Sequence, residues 1–218
     1  MESPKDKKDF FPFAIHIINA AIIAFSFELV KDDFIPFDLI QTFADKVNFV
    51  AILFVWGFLI SGWLGYTQSI KNNHHKEGLA GNLRFVTELG ISFFMLYLFI
   101  LTEKAKFETY FGYAFIWVIP VIFFIFVIWD LLKYSEYRSD DEGSNKDLQN
   151  RMFFTVFALV ALLIQDFFYN LFIGNLTSEI TFDRNTTTLY FLISTSVIVA
   201  IYRAIKSMKS DKVTPVEQ

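Results

Sequence analysis

Asp166 sits inside Leu159–Phe172, LVALLIQDFFYNLF, a run apolar enough to lie within a bilayer. Gln165 precedes it, and Asn170 follows one helical turn later. Insertion scales put a charge at the centre of a membrane helix at roughly 3 kcal/mol, so an ionisable residue there is first a candidate site. A carboxylate so placed can take up a proton or hold a cation. The competing role is a carboxyl hydrogen-bonded to Gln165 and Ser194 that only ties helices together.

A rise of 1.5 Å per residue sorts the other intramembrane polar groups into two layers. His16 and Glu88 lie at similar shallow depth from the basic side of the chain. Arg84 precedes Glu88 by four residues, so an ordinary i,i+4 ion pair competes with any chemical role for that acid. Asp166, Ser26 and Ser194 share a second level, about two-thirds of the way across. His16, Asn19 and Ser26 fall on one helix face, and Asp166 and Asn170 on another. Together these residues describe a polar seam between the first, third, fifth and sixth apolar runs. Its chemistry would be movement of protons or cations, with Asp166 as the outer acceptor and Glu88 with His16 as the inner one.

Other chemistries are poorly supplied. There is no Cys among the 218 residues, which removes disulfides, thiolate nucleophiles and Cys-ligated metals. Of the three His, His74 and His75 are adjacent in a loop with no ligand set beside them, so no metal or haem site is expected. No HExxH, GxSxG, GxGxxG or Walker-type run occurs. The expectation is therefore a protein that is not an enzyme and carries no cofactor. Asn175-Leu-Thr and Asn185-Thr-Thr match glycosylation sequons, which matter only in a secretory pathway that uses them.

The elements that must position these groups are long and apolar. Hydrophobic residues make up 54% of the chain, 29 residues are Phe, and only 19% are charged, which suits a surface facing lipid better than one facing water. Six runs approach the ~20 residues needed to cross a bilayer: 11–29, 47–66, 85–102, 110–132, 152–173 and 187–205. Each must be a helix, because an isolated span has to satisfy its own backbone hydrogen bonds. The fold class is all-α integral membrane, six transmembrane helices that read as three hairpins in series. Residues 1–10 and 206–218 form short tails. The first run lacks a small-residue cleavage site and is read as a retained span. The hydrophilic stretch 135–150 is expected to be a solvated loop.

Orientation follows from the basic residues. Lys5, Lys7, Lys8, Lys71, Lys76, Arg84, Lys133, Arg138, Lys146, Arg151, Arg203, Lys206, Lys209 and Lys212 fall on one side, against Lys31, Lys46, Lys104, Lys106 and Arg184 on the other. The positive-inside rule then places both termini in the cytoplasm, in the plasma membrane of the cell. The opposite face is acidic, chiefly in KDDFIPFDLIQTFADK, where Ile40, Phe43 and Val47 recur at helical spacing after Asp38. A short helix on the outer interface, capped by Asp38, is expected there, and its charges would gather cations near the mouth.

Two further features concern packing. Gly57, Ser61 and Gly65 line one face of the second run, where small residues let helices approach closely, either within one chain or between subunits. Pro120 interrupts the hydrogen-bond ladder of the fourth run and offers a hinge or simply a kink. The function expected is a small cation or proton channel or transporter, assembled as a homo-oligomer in the lipid bilayer. The alternative is a non-transporting membrane subunit that binds lipid or a protein partner on its basic loops, with residues 134–151 as the docking segment. No nucleic-acid partner is expected.

Overall fold

The structure, a computed structural model, describes residues 4–34, 42–72, 76, 78–105, 110–138, 142–174 and 181–208. They form six α-helices and no strand: α1 (Pro4–Phe34), α2 (Phe43–Asn72), α3 (Leu79–Ala105), α4 (Tyr110–Tyr137), α5 (Glu142–Gly174) and α6 (Thr181–Met208). Each contains a stretch long and apolar enough to cross a bilayer, from Phe10–Glu28 in α1 to Asn185–Lys206 in α6. These six helices fit a polytopic integral membrane protein, whose lateral surface contacts lipid.

The helices outrun the apolar runs that predict them, since a membrane helix can continue into the interface while its own carbonyls and amides remain paired. The largest difference is at 135–150. There α4 continues to Tyr137 and α5 begins at Glu142, so most of the expected loop is helix. The first turn of α2 holds another. Thr42 and Asp45 form a reciprocal cap, with the Asp45 amide donating to Thr42 Oγ1 at 3.1 Å and the Thr42 amide to Asp45 Oδ2 at 2.8 Å. Phe43 and Val47 therefore belong to α2 rather than to a separate interfacial helix, while Asp38 and Ile40 lie outside the described residues. Between α2 and α3, Gly78 adopts φ of 135°, a backbone conformation that costs any other residue strain.

Neighbouring helices are recognised by their side-chain bonds. Odd-numbered helices run one way and even-numbered ones the other: Phe11 of α1 stacks on Phe85 of α3, and Phe123 of α4 meets Tyr202 of α6. The closest packing is between α3 and α4, then α4 and α5, then α5 and α6. Helix α2 closes the ring against α6 and α3, and α1 lies mainly on α3, with only a light contact to α2. Helices α3 to α6 thus pack each against the next, whereas α1 and α2 are held mostly by helices other than each other.

One half of the bundle is a solid apolar core. Val47, Ala51 and Val55 of α2 cluster with Leu98 and Phe99 of α3, Phe115, Ile116 and Ile119 of α4, and Leu192 of α6, all fully buried. Pro120 is buried in the same layer, and α4 runs through it as one continuous helix. Outside, Leu53, Ile60 and Leu64 of α2, Phe153, Phe157, Phe167 and Phe168 of α5, and Ile193, Val197 and Ile201 of α6 are exposed. Four of the 29 Phe lie on those outward stripes, where they face lipid.

Candidate functional site

The other half of the bundle is where the charges are. It comprises the N-terminal ends of α1, α3 and α5 and the C-terminal ends of α2, α4 and α6, and is called here the basic end. Helix α4 contributes Trp129, Asp130, Lys133 and Glu136, spaced so that 129, 133 and 136 share a face. Helix α3 contributes Arg84 and Glu88, α5 Arg151 and Thr155, and α6 Tyr202, Arg203 and Lys206. Five cations and three carboxylates of this group are buried or half-buried.

Two sets of pairs hold it together. Arg84, with no exposed surface, reaches Glu88 of its own helix at 3.4 Å and makes a close ion pair with Glu136 of α4. Glu88 also accepts the indole N–H of Trp129 at 2.8 Å. Glu136 accepts the Lys76 amide as well, which pins the α2–α3 turn to α4. In the second set, Asp130 accepts the Thr155 hydroxyl at 2.5 Å and Lys206 Nζ at 3.0 Å, joining α4, α5 and α6. The Trp129 ring lies among Arg84, Lys133 and Lys206, each cation 5.3–5.8 Å from its centre. An electron-rich ring stabilises such cations where water is scarce.

Three cations of this group form no ion pair with a carboxylate among the described residues. Lys133 Nζ donates to Ser69 Oγ of α2 at 2.7 Å. Arg203 lies over Gly62 and Gly65 of α2, so close that a Cβ on Gly65 would stand 2.9 Å from its Nη1. Phe58, Phe126 and Tyr202 surround the guanidinium, with ring centres 5.3–6.0 Å away. Its Nε and Nη2 are buried and have no hydrogen-bond partner, and the same holds for Nε of Arg151. A guanidinium stays charged at any physiological pH, so neither group can escape the cost by losing a proton.

These unmatched groups border a cavity of about 350 Å³. Its lining takes Ile15 and Asn19 from α1, Ser61 to Tyr66 from α2, Glu88 and Ser92 from α3, Trp129, Asp130 and Lys133 from α4, Arg151 from α5 and Arg203 with Lys206 from α6. Phe58, Phe123, Phe126 and Tyr202 pack ring against ring between the cavity and the apolar half. The cavity itself has mixed walls, with Leu59, Ile91 and Met95 lining it beside the charged groups.

The structure distributes the residues anticipated from sequence over both halves. Glu88 and Asn19 line the cavity, and Ser92 connects them, donating to Asn19 Oδ1 at 3.3 Å. His16 is near but turned to α2, where its Nδ1 accepts the Trp63 indole N–H at 2.8 Å. Ser26 is buried in the apolar half and accepts the Trp56 indole N–H at 2.9 Å, so it fastens α1 to α2. Gln165 Nε2 bonds to Ser194 Oγ at 2.6 Å, to Thr195 Oγ1 at 2.9 Å and to the Phe191 carbonyl, fastening α5 to α6. Asn170 donates to the backbone carbonyl of Asp166 at 2.8 Å. Asp166 itself is 1% exposed, and neither carboxylate oxygen has a hydrogen-bond partner. Ser26 and Gln165 thus make separate helix-to-helix bonds, and the Asp166 carboxylate hydrogen-bonds to neither Ser26 nor Ser194.

The small-residue face is divided too. A Cβ on Gly57 would meet nothing within 4 Å, whereas Ser61 lines the cavity and Gly65, with Gly62, cradles Arg203. Among the described residues there is no group of three or more His, Asp or Glu able to hold a metal. Sequence reasoning passed over Trp129, Asp130, Arg151 and Arg203. Asp130 carried a signal equal to that of Asp166, an acid within the apolar run FFIFVIWDLLKY. The basic residues registered only as markers of sidedness at the ends of spans. No family model matches this chain, and no curated protein or solved structure does.

Proposed function

We propose that this protein binds an anion in the cavity at the basic end of its bundle, as a carrier or receptor within the membrane. The observation that carries the reading is the pair of guanidinium groups, Arg151 and Arg203, that line the cavity and form no ion pair with a carboxylate among the described residues. Unpaired charge in a membrane interior is costly, and a ligand of opposite sign removes that cost. Arg suits the task because its planar fork donates two parallel hydrogen bonds to a carboxylate or phosphate. Lys133 adds a third cation, held in place by Ser69. The positive-inside rule puts this end in the cytoplasm.

The test is anion-dependent stabilisation of the purified full chain. Phosphate or sulfate, against chloride at matched ionic strength, should raise the unfolding temperature of the wild type. Arg203→Gln should weaken that response about tenfold, the equivalent of one charge-assisted hydrogen bond. Equal responses to all three anions, or an unchanged response in the variant, would refute an anion site.

Asp166 supports a second reading, proton or cation movement, because its carboxylate is buried without a partner. Flux into proteoliposomes tests it: an ion flux that Asp166→Asn abolishes, in a variant of normal stability, upholds the role. Flux that the substitution leaves intact removes it.

A further inference from the structure

The cavity does not stop at the bundle interior. Leu64 of α2 and Ala204 of α6 both line it, and both are exposed on the outer surface. Leu64 ends the outward stripe of Leu53, Ile60 and Leu64, and Ala204 ends that of Ile193, Val197 and Ile201. Between them lie Gly65, which has no side chain, and the Arg203 guanidinium. The cavity therefore reaches the lipid-facing surface through a gap whose sills are a Leu and an Ala and whose floor is a cation.

From this we infer that the ligand is an amphiphile with an anionic head group, a phosphate or carboxylate on an acyl chain, admitted sideways from the bilayer between α2 and α6. The inference rests on the anion-binding reading above and adds the source of the anion. Three observations favour a lipid over a free solute. The unmatched cations sit at the end of the spans, the depth at which lipid head groups lie. The lateral gap is apolar, so an acyl chain can remain against Leu64 and Ala204 while the head group meets Arg203. The cavity wall is largely apolar, with Leu59, Ile91 and Met95 beside the polar groups, which suits the chain of an amphiphile better than a free inorganic anion. Basic pockets between membrane helices are a general means of holding acidic lipid head groups.

The experiment compares three probes on the full chain in a nonionic detergent: short-chain phosphatidylglycerol, phosphatidylcholine of the same chain length, and glycerol phosphate. Unfolding temperature is read against the concentration of each. The inference requires phosphatidylglycerol to stabilise at concentrations at least tenfold below either of the others. It also requires Ala204→Trp, which fills the gap without changing charge, to abolish that advantage while leaving the response to glycerol phosphate in place. If Ala204→Trp does not fold, Leu64→Trp fills the gap from the other side. Glycerol phosphate acting as well as the lipid, with the Trp variants harmless, overturns lateral admission and leaves the anion site standing. Phosphatidylcholine matching phosphatidylglycerol overturns head-group recognition and reduces the effect to general lipid solvation. No response to either anionic probe overturns both readings.

Discussion

Asp130 and Asp166 are alike in sequence and opposite in structure. Each interrupts an apolar run, and each is almost wholly buried. Asp130 accepts a hydroxyl from α5 and an ammonium from α6, and stands in a layer where cations outnumber carboxylates. Asp166 accepts nothing. The difference shows that the cost of a buried acid is not by itself a sign of what it does. At the basic end the acids hold cations in a fixed array, and the functional surplus is the positive charge left unmatched. In the apolar half, the acid itself is the surplus.

The largest expected effect breaks the first half of this comparison. Asp130→Ala leaves Lys206 buried without its partner and adds a fourth unmatched cation, which should cost about 3–5 kcal/mol or prevent folding. Reversible unfolding in mixed micelles measures it. A loss below 1 kcal/mol would mean that water reaches the cluster freely and that the array is not electrostatically strained. The middle-sized effect concerns how Arg203 is seated. Gly65→Ala places a methyl 2.9 Å from Nη1 and should destabilise by about 1–3 kcal/mol, as overpacking does. Arg203→Ala should cancel most of that loss in a double-mutant cycle. Gly57→Ala, with open space around it, should be neutral or stabilising by up to about 1 kcal/mol, since Ala is the better helix former. Equal costs at the two glycines would show that Arg203 does not rest on α2. The smallest effect sharpens the second half. Asp166→Val breaks no hydrogen bond of the carboxylate and should change stability by less than about 1 kcal/mol, or increase it. A loss comparable to that of Asp130→Ala would mean that Asp166 is held by contacts as strong as those of its counterpart.

Much of the fold was legible in the chain. Span number and rough position follow from apolar length alone, and every expected run falls within one of the six helices. Helix ends were less legible. The charged stretch around 142–150 continues α5 because a helix needs no apolar face where it leaves the bilayer. The site was legible only in fragments. Glu88, its pair with Arg84, and Asn19 follow from spacing along one helix or one face. Ser26, Ser194 and Asp166 make no hydrogen bonds to one another, because common depth places residues in one plane without deciding which way each helix turns. Ser26 turns to Trp56, and Gln165, rather than Asp166, turns to Ser194.

The amino-acid sequence by itself determined six apolar helices, a basic and an acidic end, and the presence of costly polar groups between them. These depend on hydropathy and on distance along a helix axis, both of which are properties of local composition. Tertiary structure alone decided which charges are paired. Helix rotation and helix order are set by side-chain packing among six segments distant in the chain. They bring Arg84 to Glu136 and Lys206 to Asp130 while leaving Arg151, Arg203 and Asp166 outside any ion pair among the described residues. Residue types can say that a charge is buried; only its neighbours say whether it is satisfied.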